Sequence, residues 1–297
     1  MKKNPSRLAL LACFILTLAI ALRGNASQTP GAIRVEVHLV EVYATIYDHN
    51  GHYVDGLSQS NFEVLEDGKT QEIASFETSA QSLSCAILLD TTASMTEALP
   101  RVKNSIVKLI DELGPQDAVA VYTFDERLVT RQPFTSDKNA AKRAVLRTRA
   151  QGRTALFDAM TQASLDISKR PGKKTLIVFT DGDDNSSALN ANAAVAGANR
   201  VGIPVYAIAE GEAVQSQNLK KLLDEMTGRT GGAAYLVKRS GDIDQLFHRI
   251  AQDLQHLYMI SYQPPSSPAD GKWHKIELVV KGLKDSRVRA KEGYFSD

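Results

Sequence analysis

Two apolar stretches of the sequence end on an aspartate, and hydroxyl groups lie close by. The stretch "AILLD" ends on Asp90 and is followed by Thr92 and Ser94, and the stretch "TLIVFTD" ends on Asp181. A third segment, "QGRTALFDA", places Thr154 directly before a helical pattern. All five side chains carry oxygen, and these segments contain neither histidine nor cysteine.

Oxygen ligands of this kind favour a hard divalent cation. Carboxylate and hydroxyl groups in small number suit Mg²⁺, or Mn²⁺ or Ca²⁺, rather than zinc. Two carboxylates neutralise the charge of such an ion, and its coordination number leaves a position for water or for a ligand from another molecule. A carboxylate on a protein partner could occupy that position, which predicts metal-dependent binding of an acidic group.

The apolar residues around these segments predict an α/β fold. Near-continuous apolar runs, typical of strands covered on both faces, alternate with segments of helical periodicity. The runs lie at about 84–89, 118–124, 174–180, 203–209 and 233–237, and the helical segments near 97–113, 137–150, 155–169, 187–200, 216–227 and 240–255. This alternation predicts a doubly wound, mainly parallel sheet over residues 81–255. Ligands of such sheets bind beyond the carboxyl ends of the strands, where the predicted metal ligands would meet.

The segments on either side of this unit have strand patterns. Residues 33–80 contain apolar stretches separated by the turn signals Asn50-Gly51 and Asp67-Gly68, and similar stretches occur in residues 256–296. Neither segment is long enough to bury a core easily by itself. We therefore expect the two to pair in a small β-sandwich into which the 81–255 unit is inserted, with Trp273 in the sandwich core.

Residues 1–26 have the pattern of a secretory signal peptide. A basic start precedes an apolar stretch over residues 8–22, and small residues at 24–26 are typical of a cleavage site. The protein is therefore predicted to be exported to the periplasm, the cell surface or the medium. The apolar stretch is short for a membrane span. An uncleaved N-terminal anchor is the alternative, and it is the only basis for expecting membrane contact.

Charge and cysteine content exclude several classes of partner and scaffold. The chain has 35 basic and 34 acidic residues, and residues 1–26 hold four of the basic and none of the acidic ones, which leaves 31 against 34. This balance gives no electrostatic reason to expect nucleic acid or an anionic membrane as partner. Without the signal peptide only Cys85 remains, so no disulfide can form within one mature chain.

The motif residues resemble a known family. In this order, "DTTAS", "GRTALFDA" and "TDGDDN" resemble the von Willebrand factor type A (VWA) domain with its metal-ion-dependent adhesion site (MIDAS), and the flanking segments resemble the VWFA-related Acidobacterial type. The family pattern has serine where this chain has Thr92, which keeps the hydroxyl group. The resemblance implies that Asp90 and Asp181 act partly through water, while Ser94 and Thr154 coordinate the cation more directly.

These observations predict an exported, non-enzymatic module that binds a protein partner through a divalent cation. Two alternatives stay open: a Mg²⁺-dependent phosphatase-like hydrolase with Asp90 as nucleophile, and a structural module whose site is unused. Further polar residues near the motifs are interpreted without a direct role in the metal site: Asp125 as an exposed group, Asp158 as a helix-start residue or a support of the ligands, and Asp183, Asp184 and Asn185 as a solvated turn and cap. The last helical segment runs directly into the C-terminal strands, and we expect it to transmit partner binding to the sandwich.

Overall fold

The computed structural model describes residues 39–78, 80–181, 184–210, 216–237, 243–264 and 271–296. All of them belong to a unit that spans residues 38–297. The predicted signal peptide, residues 1–26, lies outside the described residues. Among the described residues, no helix combines the length and the apolar character that crossing a membrane requires.

Strands and helices follow one another in three blocks: strands, an alternation of strands with helices, and strands again. In the described part of the chain, the strands are β1 (Val40–Tyr47), β2 (Phe62–Glu66), β3 (Lys69–Gln71), β4 (Ile73–Glu77), β5 (Leu83–Asp90), β6 (Ala118–Phe124), β7 (Leu128–Thr135), β8 (Lys173–Thr180), β9 (Val205–Ala209), β10 (Ala233–Leu236), β11 (Tyr258–Tyr262), β12 (Trp273–Val280), β13 (Arg287–Ala290) and β14 (Gly293–Phe295). The α-helices are α1 (Leu99–Glu112), α2 (Lys138–Leu146), α3 (Leu156–Ser168), α4 (Ala191–Val201), α5 (Gln217–Thr230) and α6 (Ile243–Gln255).

The central sheet has six strands in the order β10-β9-β8-β5-β6-β7, and helices cover both of its faces. Along β5, Cys85, Ile87 and Leu89 pack in one apolar cluster with α1, α2 and α6. The alternate residues Ala86 and Leu88 pack in a second cluster with α3, α4 and α5. Both faces of the strand are buried, which explains why its sequence is apolar throughout instead of alternating.

The strand order reverses between β5 and β8. From β5 the chain continues outward to β6 and β7, and it then returns to the other side of β5 with β8, β9 and β10. Neighbouring strands are parallel, apart from the antiparallel pair β6 and β7. The carboxyl ends of β5 and β8 therefore lie side by side at a topological switch point, which is the usual ligand position in this fold class.

The edge strand β7 was not predicted from the sequence. Its segment "LVTRQPFT" carries Pro133 and is largely exposed, and its pairing with β6 contains register shifts. An edge strand needs apolar residues on only part of its surface, and proline is tolerated there, so the apolar periodicity of such a strand is weak.

Two antiparallel four-stranded sheets, β13-β1-β11-β4 and β14-β12-β2-β3, form the rest of the fold. Strands from before and after the α/β unit pair directly: β1 with β11, and β2 with β12. Their facing residues share one apolar cluster, which includes Val42, Val64 and Ile260. The predicted fold class is confirmed, whereas the predicted boundaries at 33–80, 81–255 and 256–296 stay a prediction.

The prediction that Trp273 lies in the sandwich core is wrong. Its side chain is 36% exposed, packs edge-on against Phe295 and lies beside the guanidinium group of Arg229. Trp273 is the first residue of β12, where the pleat turns its side chain away from the apolar cluster.

A buried carboxylate joins the last helix to the antiparallel strands. Asp253 of α6 accepts hydrogen bonds from the hydroxyl groups of Tyr47 (2.9 Å) and Tyr53 (2.8 Å), which lie before the α/β unit in the sequence. Its second oxygen accepts a hydrogen bond from Tyr235 of β10 (3.2 Å) and lies 2.9 Å from the guanidinium group of Arg289 in β13. One side chain thus bonds to three separate parts of the chain.

The turn between α5 and β10 leaves no room for a side chain. A Cβ atom added to Gly232 would lie 1.9 Å from the carbonyl oxygen of Val205 in β9. Because the obstructing atoms are backbone, no rotation of a neighbouring side chain can relieve the contact. Apart from its chain neighbours and the backbone of its own helix, a Cβ atom added to Gly228, in α5, would have no heavy atom within 4 Å.

Gly232→Ala should lower the free energy of unfolding by at least the roughly 1–3 kcal/mol that overpacking usually costs. The matched control is Gly228→Ala, which should raise the free energy of unfolding by roughly 0.5–1 kcal/mol because alanine is the better helix former. Urea unfolding of both variants measures the difference. If Gly232→Ala is as stable as the wild type, the space between Gly232 and the Val205 carbonyl is large enough for a side chain.

Candidate functional site

Four adjacent strands of the central sheet end next to an acidic residue. From one side to the other these residues are Glu210 after β9, Asp181 after β8, Asp90 at the end of β5, and Asp125 after β6. Asp90 is fully buried and Asp181 is 6% exposed. The two predicted carboxylate ligands therefore lie at the switch point, withdrawn from solvent.

Both oxygens of Asp90 accept hydrogen bonds from neighbouring loops and strands. Oδ1 accepts a bond from the backbone N–H of Thr92 (2.9 Å), and Oδ2 accepts one from the hydroxyl of Thr180 (2.8 Å). Burial raises the pKa of Asp90 from 3.8 to about 6, against the effect of these hydrogen bonds, and the charge of Asp181 adds to the increase. A buried carboxylate of this kind is stabilised when a positive charge is placed beside it.

A chain of hydroxyl groups connects the two motif segments. The oxygens of Thr92 and Ser94 are 2.9 Å apart, and the hydroxyl of Ser94 donates a hydrogen bond to Oδ1 of Asp181 (2.8 Å). A short 3₁₀ turn over Ala93–Thr96 holds the serine in this place. The structure thus brings Asp90, Thr92, Ser94 and Asp181 together.

The fifth predicted ligand, Thr154, lies in an adjacent loop. The carbonyl of Gly152 in that loop accepts a hydrogen bond from the N–H of Ala93 (3.2 Å). Thr154 is buried, and its backbone N–H donates to the side-chain oxygen of Asn185 (3.1 Å), while its carbonyl accepts from the N–H of that residue. Within the described residues, its hydroxyl forms no hydrogen bond with the other four side chains. The three segments are neighbours, but Thr154 is joined to them through its backbone.

Two further carboxylates near the motifs hold loops in place. Asp184 accepts hydrogen bonds from the N–H of Phe157, at the start of α3, and from the hydroxyl of Ser187. Asp158 accepts bonds from the N–H groups of Ala188 and Leu189. Both act as anchoring groups between α3 and the 184–189 segment, and Asp184 caps the start of α3, as interpreted from the sequence. Asp183 lies outside the described residues.

Sequence reasoning missed two residues of this region. Thr180 precedes Asp181, and its hydroxyl donates a hydrogen bond to Asp90 in the adjacent strand. Glu210 follows the apolar run "VYAIA" just as Asp181 follows its own run, a signal that could have identified it. The carboxylate of Glu210 is 2.7 Å from the guanidinium group of Arg101 in α1. Its charge is therefore compensated within the chain, unlike that of Asp90.

The donor set fits a hard divalent cation. It consists of two carboxylates and hydroxyl oxygens, with no nitrogen or sulfur ligand, which is the preference of Mg²⁺, Mn²⁺ and Ca²⁺. The described residues contain another group, Glu66, Asp67 and His274, whose ligand atoms lie within 4.8 Å of one another. Within this group, Nδ1 of His274 lies 2.9 Å from Asp67 and 3.6 Å from Glu66.

The fold and this region define the class of protein: an α/β domain with a polar, acidic rim at the switch point of its sheet. The family model of the von Willebrand factor type A domain matches residues 85–249, more than half of the chain. The chain belongs to this family, as its motifs predicted. Its assignment to the Acidobacterial type stays a prediction.

Several solved structures share the fold. A von Willebrand factor type A protein from Catenulispora acidiphila is 15% identical with a TM-score of 0.53, over 89% of this chain and 75% of that one. The conserved hypothetical protein BatB from Bacteroides thetaiotaomicron is 21% identical with a TM-score of 0.50, over 58% and 97%. Proximal thread matrix protein 1 from the mussel byssus is 17% identical with a TM-score of 0.51, over 64% and 49%. These likenesses concern the fold, and no curated protein matches the chain.

Asp90→Asn should stabilise the protein when divalent cations are absent. The raised pKa means that the folded wild type binds more protons than the unfolded chain, so its stability falls as the pH rises from about 4 to about 6. Asparagine removes this ionisation, and its amide can accept from Thr92 and donate to Thr180. We expect a gain on the order of 2 kcal/mol at neutral pH.

Urea unfolding in EDTA, repeated across this pH range, measures the effect. Asp125→Asn is the matched control, because Asp125 lies on the same rim but is partly exposed and accepts a bond from the N–H of Arg127. A wild type that is more stable than Asp90→Asn at neutral pH in EDTA would contradict the interpretation that the Asp90 carboxylate is poorly compensated.

Proposed function

We propose that this VWA domain binds a divalent cation, Mg²⁺ or alternatively Mn²⁺ or Ca²⁺, and through it a carboxylate of a protein partner. The proposed ligands are Asp90, Thr92, Ser94, Thr154 and Asp181. The observation that carries the proposal is the hydrogen-bonded series from Thr92 through Ser94 to Asp181, directly beside the buried Asp90. Oxygen donors from separate segments converge there with an excess of negative charge.

The residues around the ligands position them. Thr180 and the N–H of Thr92 fix the carboxylate plane of Asp90 from two sides. Asn185 bonds to the backbone of Thr154 and sets the position of that loop. When bound, the cation would supply an electrophilic centre with a coordination position open to an acidic group from outside. Rigid supports of this kind lower the cost of ordering the ligands on binding.

A non-enzymatic role is part of the proposal. A phosphatase-like mechanism would require Asp90 to attack a phosphate, but this residue is fully buried and both of its oxygens accept hydrogen bonds. That arrangement favours a ligand or a structural carboxylate over a nucleophile. If the protein is instead a structural module with an unused site, the site would stay without metal under all conditions. Metal titration distinguishes this alternative from the present proposal.

The proposal places the protein outside the cytoplasm. Its support is the sequence pattern of residues 1–26, with the alternative that this segment remains as an anchor. The proposed organisation is a VWA domain over residues 81–255 and a β-sandwich from residues 33–80 and 256–296. The partner is a protein that presents a carboxylate, and neither nucleic acid nor the membrane surface is part of the proposed function.

Asp181→Ala should abolish cation binding without unfolding the chain. The substitution removes one of the two carboxylates and the acceptor of the Ser94 hydroxyl. Titration calorimetry with Mg²⁺ and Mn²⁺ should show saturable heat for the wild type and for Asp125→Asn, and none for Asp181→Ala. Circular dichroism of all three proteins checks that they are folded. Equal heats for the wild type and Asp181→Ala would exclude Asp181 as a ligand.

Partner binding should depend on the cation. Immobilised protein, exposed to the medium and envelope of the exporting cell, should retain a partner in Mg²⁺ and release it in EDTA. Because the carboxylate contact requires the cation, Asp181→Ala should retain nothing in either buffer, whereas Asp125→Asn should behave as the wild type. Retention that is unchanged by EDTA would rule out anchoring through a metal ion.

A further inference from the structure

A groove of about 570 Å³ beside the proposed cation site is lined by arginine side chains. We refer to it as the basic groove. It is bounded by the edge strand β7, helix α2 and the segment that follows α2. Its lining includes Arg131, Arg143, Arg147, Arg149, Thr148 and Gln151. No acidic residue belongs to the lining, so the groove concentrates positive charge on a chain that has almost none overall.

The charges of the basic groove are poorly compensated within the chain. Arg143 lies 3.7 Å from Asp137, but both side chains are more than half exposed, and such pairs contribute little. Arg131 donates a hydrogen bond from Nε to the hydroxyl of Thr123, a neutral partner. Within the described residues, Arg147 and Arg149 form no ion pair. The guanidinium groups are therefore available to anions from solution.

A neighbouring lysine experiences this excess of charge. Nζ of Lys103, in α1, donates a hydrogen bond to the carbonyl of Thr148, which lines the groove (3.0 Å). Its pKa is lowered, first by partial burial and then by the positive charge of Arg149. Like charges held this close repel each other, and a bound anion would relieve the repulsion.

The basic groove is joined to the segment of the proposed cation site. Gln151, which lines the groove, donates its backbone N–H to the carbonyl of Thr91 (2.6 Å). The next residue, Gly152, accepts a hydrogen bond from Ala93. The segment that carries the proposed ligands Thr92 and Ser94 thus lies directly against the loop that lines the groove.

We propose that the basic groove binds further carboxylates of the same acidic partner segment whose first carboxylate meets the cation. This inference rests on the proposed function for the identity of the partner. Guanidinium groups match carboxylates geometrically and bind them with paired hydrogen bonds. A groove of this volume accommodates a few side chains, in the range usual for ligand sites. The partner segment is therefore an extended stretch with several aspartate or glutamate residues.

The lining favours an acidic peptide over nucleic acid. Proteins that bind single-stranded nucleic acid combine positive charge with aromatic side chains on which bases stack, and the basic groove has no aromatic residue in its lining. Outside residues 1–26 the chain has 31 basic and 34 acidic residues, so the positive charge of the groove is a local concentration. Discrete carboxylates at short range suit such a surface better than a long phosphate backbone.

Octaglutamate with a fluorescent label tests the proposal by fluorescence anisotropy on the full chain at about 50 mM salt, where exposed charges are only partly screened. In EDTA, the wild type should bind the peptide through the basic groove alone. The double variant Arg143→Glu/Arg147→Glu should bind about tenfold more weakly, because two of the charges that attract the peptide are reversed. The matched control is Lys220→Glu/Lys221→Glu, which makes the same charge change on α5 and should leave the affinity unchanged.

Measurements with and without Mg²⁺ test the basic groove and the cation site independently. Addition of Mg²⁺ should strengthen wild-type binding, and Asp181→Ala should lose that gain while it keeps the binding measured in EDTA. If Mg²⁺ does not strengthen binding and the binding in EDTA is intact, the cation site takes no part in binding the peptide, and the basic groove alone is the binding site.

Two results would overturn the basic groove as a peptide site. One is an equal loss of affinity in the arginine and lysine double variants, which would show a non-specific charge effect. The other is that a single-stranded oligonucleotide of equal charge binds more tightly than octaglutamate and that the arginine double variant abolishes this binding. Such a result would assign the groove to nucleic acid. Circular dichroism of both double variants confirms that they are folded before the affinities are compared.

Discussion

Two carboxylates that lie buried at the adjacent ends of β5 and β8 are the constraint on which the rest of the domain depends. Their position follows from topology: parallel strands place their carboxyl ends on one edge, and the reversal of strand order next to β5 places Asp90 and Asp181 side by side at the switch point. Burial makes the charged form of Asp90 unfavourable, and the protein offers it hydroxyl and N–H donors but no cationic side chain. Glu210, one strand further along, shows the contrast, because Arg101 compensates its charge within the chain. The proposed cation would compensate the charge of Asp90 as Arg101 compensates that of Glu210.

The loops above this edge are built to keep those carboxylates in place. Thr180 and Thr92 hold Asp90, Ser94 holds Asp181, and the Gly152 carbonyl joins the loop of Thr154 to the first motif. Gly152 has a positive φ of 82°, and a Cβ atom there would lie 2.9 Å from the Cβ of Asp125, so the loop can approach β6 this closely only with glycine at that position. Close approach of this loop is also what joins the basic groove to the cation site. One glycine thus connects the packing of the rim to the surface that a partner would meet.

Features that depend on local sequence were predicted well, and features that depend on how distant segments meet were not. The buried strands and the order of the motif residues are visible in the letters, because apolar runs that end on aspartate identify both the sheet and its edge. Thr180 could not be assigned in this way, since its partner Asp90 is 90 residues away in the sequence. The strand β7 was not predicted because an exposed edge strand has little apolar periodicity. The basic groove, which β7 helps to form, was therefore not predicted either. Its arginines belong to three consecutive elements and form a groove only once β7 packs beside α2. The overall charge balance, which is near zero, gave no sign of such a local concentration.

The hydrogen bonds of Asp253 bear on whether partner binding could be transmitted through α6. Any shift of this helix would separate the Asp253 carboxylate from Tyr47, Tyr53 and Arg289, which belong to the antiparallel strands and their connections. Leaving a buried charge without its partner costs about 3–5 kcal/mol. Partner binding could therefore move α6 alone only if it favoured the shifted state by at least that amount. A movement of α6 together with β1 and β13 would keep these bonds, so the arrangement favours transmission by a joint displacement of the helix and the antiparallel sheet over a sliding of the helix past it.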